Sequence, residues 1–535
     1  MEHTSLLSQS SKAKSRSQIF RLSQLDVHRR YSDTDNDGDN EETPWIDLTA
    51  YDVSNSERAT PQLSPDSWLY KIKRFFNDKI DKHPLEQEFV TKLDFFLLSS
   101  SMLGYFIKNL NQSNITLSYN NGMDEYFKMD KNQYNYLLSV WTAGYIIGQI
   151  PSNYVIHHNL INFRYFLGSI QISWSFIAIL QYRAESLNEL YVLRFILALL
   201  EAPLFISLEY LLGSWYSPRE LNKRSTYLAI SSGLASIIAG PLQQIIIEFS
   251  KDTDTPPFKL NFILDAIISF PIALFTFIAN PNVPSNTNNF YWNETDKLVA
   301  LERRRLIGAQ TTKKKATKGF KYYKRYFSRW QVFVFPLIFW GFNNSGHASS
   351  QPTMVSWMKI DLKLSSEYYN LIPSIFHAIG IAAALLVGYV NDYLGGVHNH
   401  VFIKVFFISM VVGCLLLSYW DLPLWLHWFA YFLITVPGSW GQPQIFSWVN
   451  RILVKDDSMR SFVISVTNTF AYVIGCWVPV FVWNTADKPQ YFVGFVYTAC
   501  LSSFGLIMTY IGDYLTRRDE FREKYNGVIE VELSS

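Results

Sequence analysis

Residues 194–224 read RFILALLEAPLFISLEYLLGSWYSPRELNKR, and the fold turns on how that stretch is understood. The apolar run around it, near 188–212, is long enough to cross a hydrocarbon core of about 30 Å, which takes about 20 residues. Trp215 and Tyr216 follow, the aromatic pair expected at a membrane interface, and then the cations Arg219, Lys223 and Arg224. Similar blocks lie near 94–115, 134–156, 165–183, 225–249, 259–280, 330–355, 368–391, 401–420, 424–446, 461–483 and 491–514, about twelve in all. Only helices or closed barrels pair every backbone group inside lipid. Barrel strands are about 10 residues long and alternate in polarity, whereas these blocks are twice that length and continuously apolar. The expected class is therefore an all-α membrane protein.

Composition agrees. Of the 535 residues 49% are hydrophobic and only 17% charged, where soluble domains carry about 25%. The mean hydropathy of +0.03 averages those blocks with a polar N-terminal stretch. A net charge of +2 suggests no nucleic-acid partner. The 3 cysteines, Cys414, Cys476 and Cys500, fall inside apolar blocks and are expected as buried thiols, with no disulfide frame or zinc site. A phosphate-binding loop of the Walker type is absent, which argues against ATP as the energy source. No metal cluster, nucleophile elbow or acid–base pair at an interface is evident, so neither an enzyme nor a cofactor is expected.

Residues 1–91 are rich in Ser, Asp, Asn, Lys and Arg and are expected as a disordered cytoplasmic tail without a signal peptide. Within them Asp33-Thr34-Asp35-Asn36-Asp37-Gly38 imitates half a calcium loop, but the twelfth position, which needs a bidentate Glu, is Pro44. A polar stretch at 281–329, carrying Arg303, Arg304, Arg305, Lys313, Lys314 and Lys315 among others, divides the spans six and six. The expected domains are an N-terminal six-helix half at 92–280, a basic cytoplasmic loop at 281–329, a C-terminal six-helix half at 330–515 and a cytoplasmic tail at 516–535. The cations of the N-tail, of the 217–224 and 451–460 loops and of the C-tail fall on one side if both termini are cytoplasmic. Orientation accounts for the basic loop; recognition of anionic lipid is the other reading. Six plus six spans around a basic loop resemble the layout of the major facilitator superfamily, in which substrate binds between two related halves near the midplane.

Local sequence narrows the resemblance. Residues 92–115 read KLDFFLLSSSMLGYFIKNLNQSNI, 263–276 read ILDAIISFPIALFT and 292–305 read WNETDKLVALERRR. With 194–224, these resemble the fungal anion:cation symporter family, the allantoate permease relatives, and look most like its pantothenate and Seo-type branch. The likeness runs over nearly all of 92–515. It implies proton-coupled uptake of a small organic anion, foremost a carboxylate vitamin such as pantothenate, by a monomer at the plasma membrane (or the vacuolar membrane). Biotin, nicotinate, allantoate, dipeptides and sulfur compounds are alternative cargoes. A nutrient sensor that keeps the fold without transporting is an alternative of another class.

The superfamily's Gly-x-x-x-Asp-x-x-Gly loop signature is missing after the second span, where Gly148-Gln149-Ile150-Pro151-Ser152-Asn153 stands. It is present after the eighth as Gly388 to Asp392 to Gly395, which are expected to gate the halves. Glu209 and Arg224 are expected to anchor the same inner gate.

Charges inside lipid are costly, so each is a functional candidate. Arg194 and Glu201 are seven residues apart, on one face of a helix. They resemble the Arg-Phe and Glu-Ala of the family's fourth span. An Arg fork suits a carboxylate substrate, and a neighbouring Glu can take up and release the proton; bridging of helices is the structural alternative. Lys108 would add a second cation, or else reach out to the headgroups. Where relatives carry Asp-Arg, this chain has Asn111 and Gln112, which favours a monocarboxylate with polar groups over a dianion. Asn343 and Asn344 are expected on the pathway of the second half. His347 and His377 are candidate proton carriers because imidazole titrates near neutral pH, though a lone histidine also serves as a plain hydrogen-bonding residue.

Overall fold

A computed structural model of the protein describes residues 27–31, 42–46, 82–129, 133–157, 161–251, 255–284, 289–307, 326–346, 348, 353–364, 366–476, 478, 482–483 and 490–534. Two strands, β1 (Val27–Tyr31) and β2 (Glu42–Ile46), precede the helices. These are α1 (Pro84–Leu93), α2 (Ser99–Ser118), α3 (Gln133–His157), α4 (Phe163–Tyr182), α5 (Leu187–Trp215), α6 (Pro218–Ser250), α7 (Pro257–Ala279) and α8 (Glu294–Leu306). They continue as α9 (Gln331–Ser345), α10 (Thr353–Ile360), α11 (Ser366–Tyr393), α12 (Asn399–Tyr419), α13 (Leu424–Thr435), α14 (Gly438–Ile452), α15 (Asp457–Gly475) and α16 (Phe492–Ser534). The chain divides into two units, Met1–Leu93 with Pro284–Thr312, and Asp94–Val283 with Lys313–Ser535.

The first unit corrects two expectations. Within the stretch expected to be disordered, β1 and β2 pair antiparallel with Val27 opposite Ile46, and α1 starts at Pro84, where proline suits a first helical turn. Within the expected loop at 281–329, α8 starts from a capping box formed by Asn293 and Asp296. The two helices hold one another. Arg303 Nη1 lies 2.8 Å from Glu86 Oε1, Lys92 Nζ lies 3.0 Å from Asp296 Oδ2, and the rings of Phe89 and Trp292 are 5.1 Å apart. So part of the central basic charge pairs with acids, beyond any part it plays in orientation. The calcium-loop imitation lies outside the described residues over 33–41.

In the second unit the helices repeat. In the first half α4 packs on α7, α2 on α6 and α7, and α3 on α5; in the second, α12 packs on α16, α9 on α15 and α16, and α11 on α14. Mapping α2 to α9, α3 to α11 and so on in order carries each of these first-half contacts onto one of the second. Between the halves, the contact of α6 with α11 exchanges with that of α3 with α15 under the same mapping, and that of α6 with α14 exchanges with that of α5 with α15. That is the relation expected of two repeats about an axis along the membrane normal.

Eight helices among the described residues are long and apolar enough to cross a membrane: Pro84–Ile115, Phe163–Tyr182, Leu187–Trp215, Pro218–Ser250, Pro257–Ala279, Ile372–Tyr393, Asn399–Tyr419 and Phe492–Arg522. The other crossings carry interruptions. Gln149, Pro151 and Ser152 lie inside α3, α9 stops at Ser345 before α10 resumes at Thr353, and Pro437 caps α14 two residues after α13 ends. The last of these crossings, α15, carries Ser461, Ser465, Thr467 and Asn468 buried along its length. Small residues set the spacing: a β-carbon on Gly148 of α3 would stand 2.6 Å from the Leu199 carbonyl oxygen of α5.

Gly396, past the end of α11, has φ +72°, and a β-carbon there would overlap the Pro218 carbonyl oxygen at the start of α6. Left-handed backbone costs a side chain about 1–2 kcal/mol before any clash. Gly396→Ala is expected to lower the thermal unfolding midpoint in detergent by several degrees, and an unchanged midpoint would refute this.

Candidate functional site

Four buried ionisable side chains, Lys108, Arg194, Glu201 and Asp265, lie on α2, α5 and α7. Lys108 is 2% exposed, and its Nζ lies 4.7 Å from the ring centroid of Tyr145, 5.6 Å from Tyr105 and 5.8 Å from Trp141. Tyr145 stacks on Trp141 at 5.1 Å, and the Trp141 indole donates to Glu201 Oε2 at 3.2 Å. Glu201 is 1% exposed and its other oxygen, Oε1, has no partner. Seven residues earlier on α5, Arg194 is buried with its guanidinium 5.8 Å from the Phe262 ring and its Nε unpartnered. Asn111, one turn after Lys108, is buried with both amide atoms unpaired.

Neither Lys108 nor Arg194 has a carboxylate within ion-pair distance among the described residues. Both still attract Glu201 across a longer gap. Asp265 of α7 accepts a hydrogen bond from Asn114 and repels Glu201. Two cations therefore face two acids, and loading one acid with a proton leaves a net positive site suited to an anion.

The second half closes the other wall. The Tyr472 ring of α15 lies 5.1 Å from Tyr145, and Asn468 of α15 and Gln149 of α3 stand near the Tyr145 hydroxyl. Thr469 of α15 donates to Gln149 Oε1. Gln442 of α14 stands near the Tyr105 hydroxyl.

Where α5 ends and α6 begins, the halves are locked together. This is also where α2 begins, because Asp94 accepts from the Tyr216 hydroxyl at 2.9 Å and from Arg224 at 3.1 Å. Asp392 of α11 accepts from the Asn222 backbone at 3.2 Å, the Asn222 amide at 2.8 Å and the Lys223 backbone at 2.9 Å. Those donors lie in the first turns of α6, at the positive end of its dipole. Arg460 of α15 does the converse. It donates to the Gly213 carbonyl at 2.9 Å and the Ser214 hydroxyl at 2.6 Å, at the negative C-terminal end of α5.

The sequence profile described as "Major Facilitator Superfamily" matches residues 101–479, well over half of the chain. The chain belongs to the Major Facilitator Superfamily. Among similar superfamily proteins are the pantothenate transporter liz1 of Schizosaccharomyces pombe (28% identical, covering 84% of this chain and 87% of that protein) and two from Saccharomyces cerevisiae. The latter are the pantothenate transporter FEN2 (27%, covering 77% and 83%) and the vitamin H transporter (26%, covering 83% and 75%). Solved structures with the same fold include the proton:xylose symporter XylE bound to 6-bromo-6-deoxy-D-glucose, at TM-score 0.59 and 12% identity over 78% of this chain and 96% of that one. The human organic anion transporter MFSD10 aligns at TM-score 0.55 and 11% identity, over 78% and 99%.

On this superfamily fold the expected residues separate. Arg194, Glu201, Lys108 and Asn111 come together. Gln112 does not: one residue on from Asn111 is a rotation of about 100°, and its side chain is exposed, outside the buried cluster. Asn344 is fully buried and bonds the carbonyls of Trp340 and Ala471, tying α9 to α15, while Asn343 is half-buried beside it. His347 lies outside the described residues. His377 is exposed and lines a separate cavity between α6 and α11. Gly388 and Asp392 lie at the lock, a β-carbon on Gly388 standing 2.8 Å from Thr226 Oγ1; Gly395 has φ +93° at the turn beyond.

Glu209 and Arg224 are both buried, but not against one another. Glu209 accepts from Ser225 Oγ at 3.3 Å, and Arg224 goes to Asp94. Lys404 of α12 bonds Asp513 of α16 at 2.7 Å within the second half. Arg460, counted among the loop cations, is 1% exposed and belongs to the lock. Asn114, part of a glycosylation match, is buried on Asp265 and offers no acceptor to a sugar-transferring enzyme. Missed altogether were Tyr105, Asn222, Gln442, Asn468 and Tyr472, neutral residues that carry no cost signal inside a span.

Proposed function

We propose that this superfamily member imports a small carboxylate together with a proton, with pantothenate the first candidate cargo, at the plasma membrane, as a monomer with both chain ends in the cytoplasm. The observation that carries the reading is the buried ammonium of Lys108 among three aromatic rings, which, like the buried Arg194, makes no ion pair among the described residues. A desolvated cation without a counter-ion is expensive unless an anion arrives to pair with it. The transporter names of the fungal relatives support a vitamin carboxylate, and the neutral Asn111 beside Lys108 favours one negative charge over two.

In this reading Glu201 competes with the substrate for the two cations. While ionised it attracts both from beyond ion-pair distance; once protonated it leaves them to the incoming carboxylate. Proton and anion thus load together on the side away from the lock, the lock at Asp392 and Arg460 releases, and both cargoes leave to the cytoplasm. Labelled pantothenate, biotin and nicotinate offered to cells lacking their own carriers should accumulate faster at acidic than at alkaline external pH. No pH-dependent uptake of any organic anion would overturn the reading.

Lys108→Met keeps the stem and removes the charge. Losing one partner of a buried charge pair costs about 2–5 kcal/mol, so the substrate dissociation constant is expected to rise about thirtyfold or more. Equilibrium binding to the purified protein measures this, and an unchanged constant would remove Lys108 from the site.

A further inference from the structure

The seam between α6 and α11 is a zipper that stops part-way. Asn222 meets Asp392, Thr226 meets Gly388, and a β-carbon on Gly233 would lie 3.4 Å from Ile381. The next turn up α6 carries Ser236 and Ile237, and the matching turn of α11 carries His377 and Ser374. There the helices part around a cavity of about 290 Å³, which Ser232, Ser439, Ile381 and Gly233 also line. Neither Lys108, Arg194 nor Glu201 lines it.

Three features make this more than a gap between helices. Half of its lining is polar, four serine hydroxyls and an imidazole, each able to donate and accept, set among Ala229, Ile230, Ile237 and Ile381. Its volume falls at the lower edge of ligand pockets, about 300–1,000 Å³, and suits part of a ligand better than a whole one. It also adjoins the cation site through one helix. Ser439 is one turn of α14 from Gln442, a rise of about 4.5 Å, and the Gln442 side chain stands near the hydroxyl of Tyr105, whose ring is 5.6 Å from the Lys108 ammonium.

We infer that this chamber is the second subsite of the transport pathway, taking the uncharged, hydroxyl- or amide-bearing end of a substrate whose carboxylate is held by Lys108. The inference rests on the carboxylate reading above and deepens it. The cation site recognises any small carboxylate. The chamber selects among them, because an apolar tail would leave its hydroxyls and imidazole without partners, and sites built to hydrogen-bond a hydroxyl reject ligands that lack one. His377, Ser439 and Ser236 are thereby specificity-determining residues.

The test uses the full chain in proteoliposomes with labelled pantothenate as probe and unlabelled competitors: pantothenate itself, an analogue lacking both hydroxyls, and nicotinate as a compact carboxylate. The wild-type protein is expected to prefer pantothenate over the deoxy analogue by about tenfold or more. His377→Ala and Ser439→Ala should each raise the KM for pantothenate about tenfold, hold the maximal rate within about twofold, and erase the preference, while the inhibition constant of nicotinate stays put. Ser236→Ala, a milder change, guards against a variant that fails to fold and should move the preference in the same direction. Retention of the full preference in all three variants overturns the chamber. Normal pantothenate uptake by Lys108→Met overturns the carboxylate reading instead, and uptake of no carboxylate by the wild-type chain overturns both.

Discussion

Glu201→Gln is expected to abolish concentrative uptake while leaving exchange of labelled for unlabelled substrate in place. The amide keeps the volume of the carboxyl group and an oxygen for the Trp141 indole, which donates at 3.2 Å, so the aromatic frame around Lys108 stays put. What it removes is the only change of charge by which this face of α5 can signal between a site that holds its cations and one that offers them. One proton carried per substrate drives accumulation about tenfold for each unit of pH difference, since that difference is worth about 1.4 kcal/mol. In vesicles with an alkaline interior, the accumulation ratio should fall from that level to unity. Sign matters here: in the wild type, acidifying the outer medium should raise uptake, and in the variant it should do nothing. A variant that still concentrates substrate would move the proton to another group, with Asp265 the nearest candidate by charge.

Opening the lock should have a comparable effect on conformation. Asp392 receives three N–H donors from α6 and is 6% exposed, so Asp392→Ala leaves those donors unpaired as well as removing the charge. Hydrogen bonds to a charged group contribute about 1.5–3 kcal/mol each, although not additively. A loss of about 2 kcal/mol already shifts a two-state equilibrium about thirtyfold. Thr226, 1% exposed one turn above the lock, is a suitable reporter. With Cys414, Cys476 and Cys500 replaced, Thr226→Cys should resist a membrane-impermeant thiol reagent applied from the lock side. It should react at least tenfold faster once Asp392→Ala is added. Equal rates in the two backgrounds would mean that the bonds of Asp392 do not hold the halves shut.

The sequence makes visible what is costly. Arg194, Glu201 and Lys108 are legible because an ionisable group inside an apolar span has to justify its burial, and the structure gathers all three. Phase is another matter. Around Lys108, polar residues stand at 109, 111, 112, 113 and 114, on every side of the helix, so nothing in the pattern says that Asn111 turns inward and Gln112 outward. Arg460 was misplaced by a single position: it immediately precedes the apolar block starting at 461, and charges at block edges ordinarily face water. The seam was invisible because its residues (Thr226, Gly233, Ser236, Gly388) look like the small residues of any packed membrane helix. Helix α8 had a readable signal, an Asn-x-x-Asp capping box at 293–296, hidden by the density of cations after it.

The repeat offers one more consequence. In the second half Asp392 sits four residues after Gly388; in the first half the position four after Gly148 is Ser152, whose hydroxyl turns back to its own helix at 2.8 and 2.9 Å from the carbonyls of residues 148 and 149. The grip it does not make is supplied by a guanidinium from the other side of the axis. One bolt is thus anionic and seated on the start of a helix; the other is cationic and seated on a helix end. Because both are shielded from the bulk phase, dissolved salt has little purchase on either, and because their signs differ, a shift in surface charge that loosened one would tighten the other. The doorway is in this respect self-compensating: its resting position is set by short-range fit at two oppositely charged helix ends, not by the ionic strength of the medium.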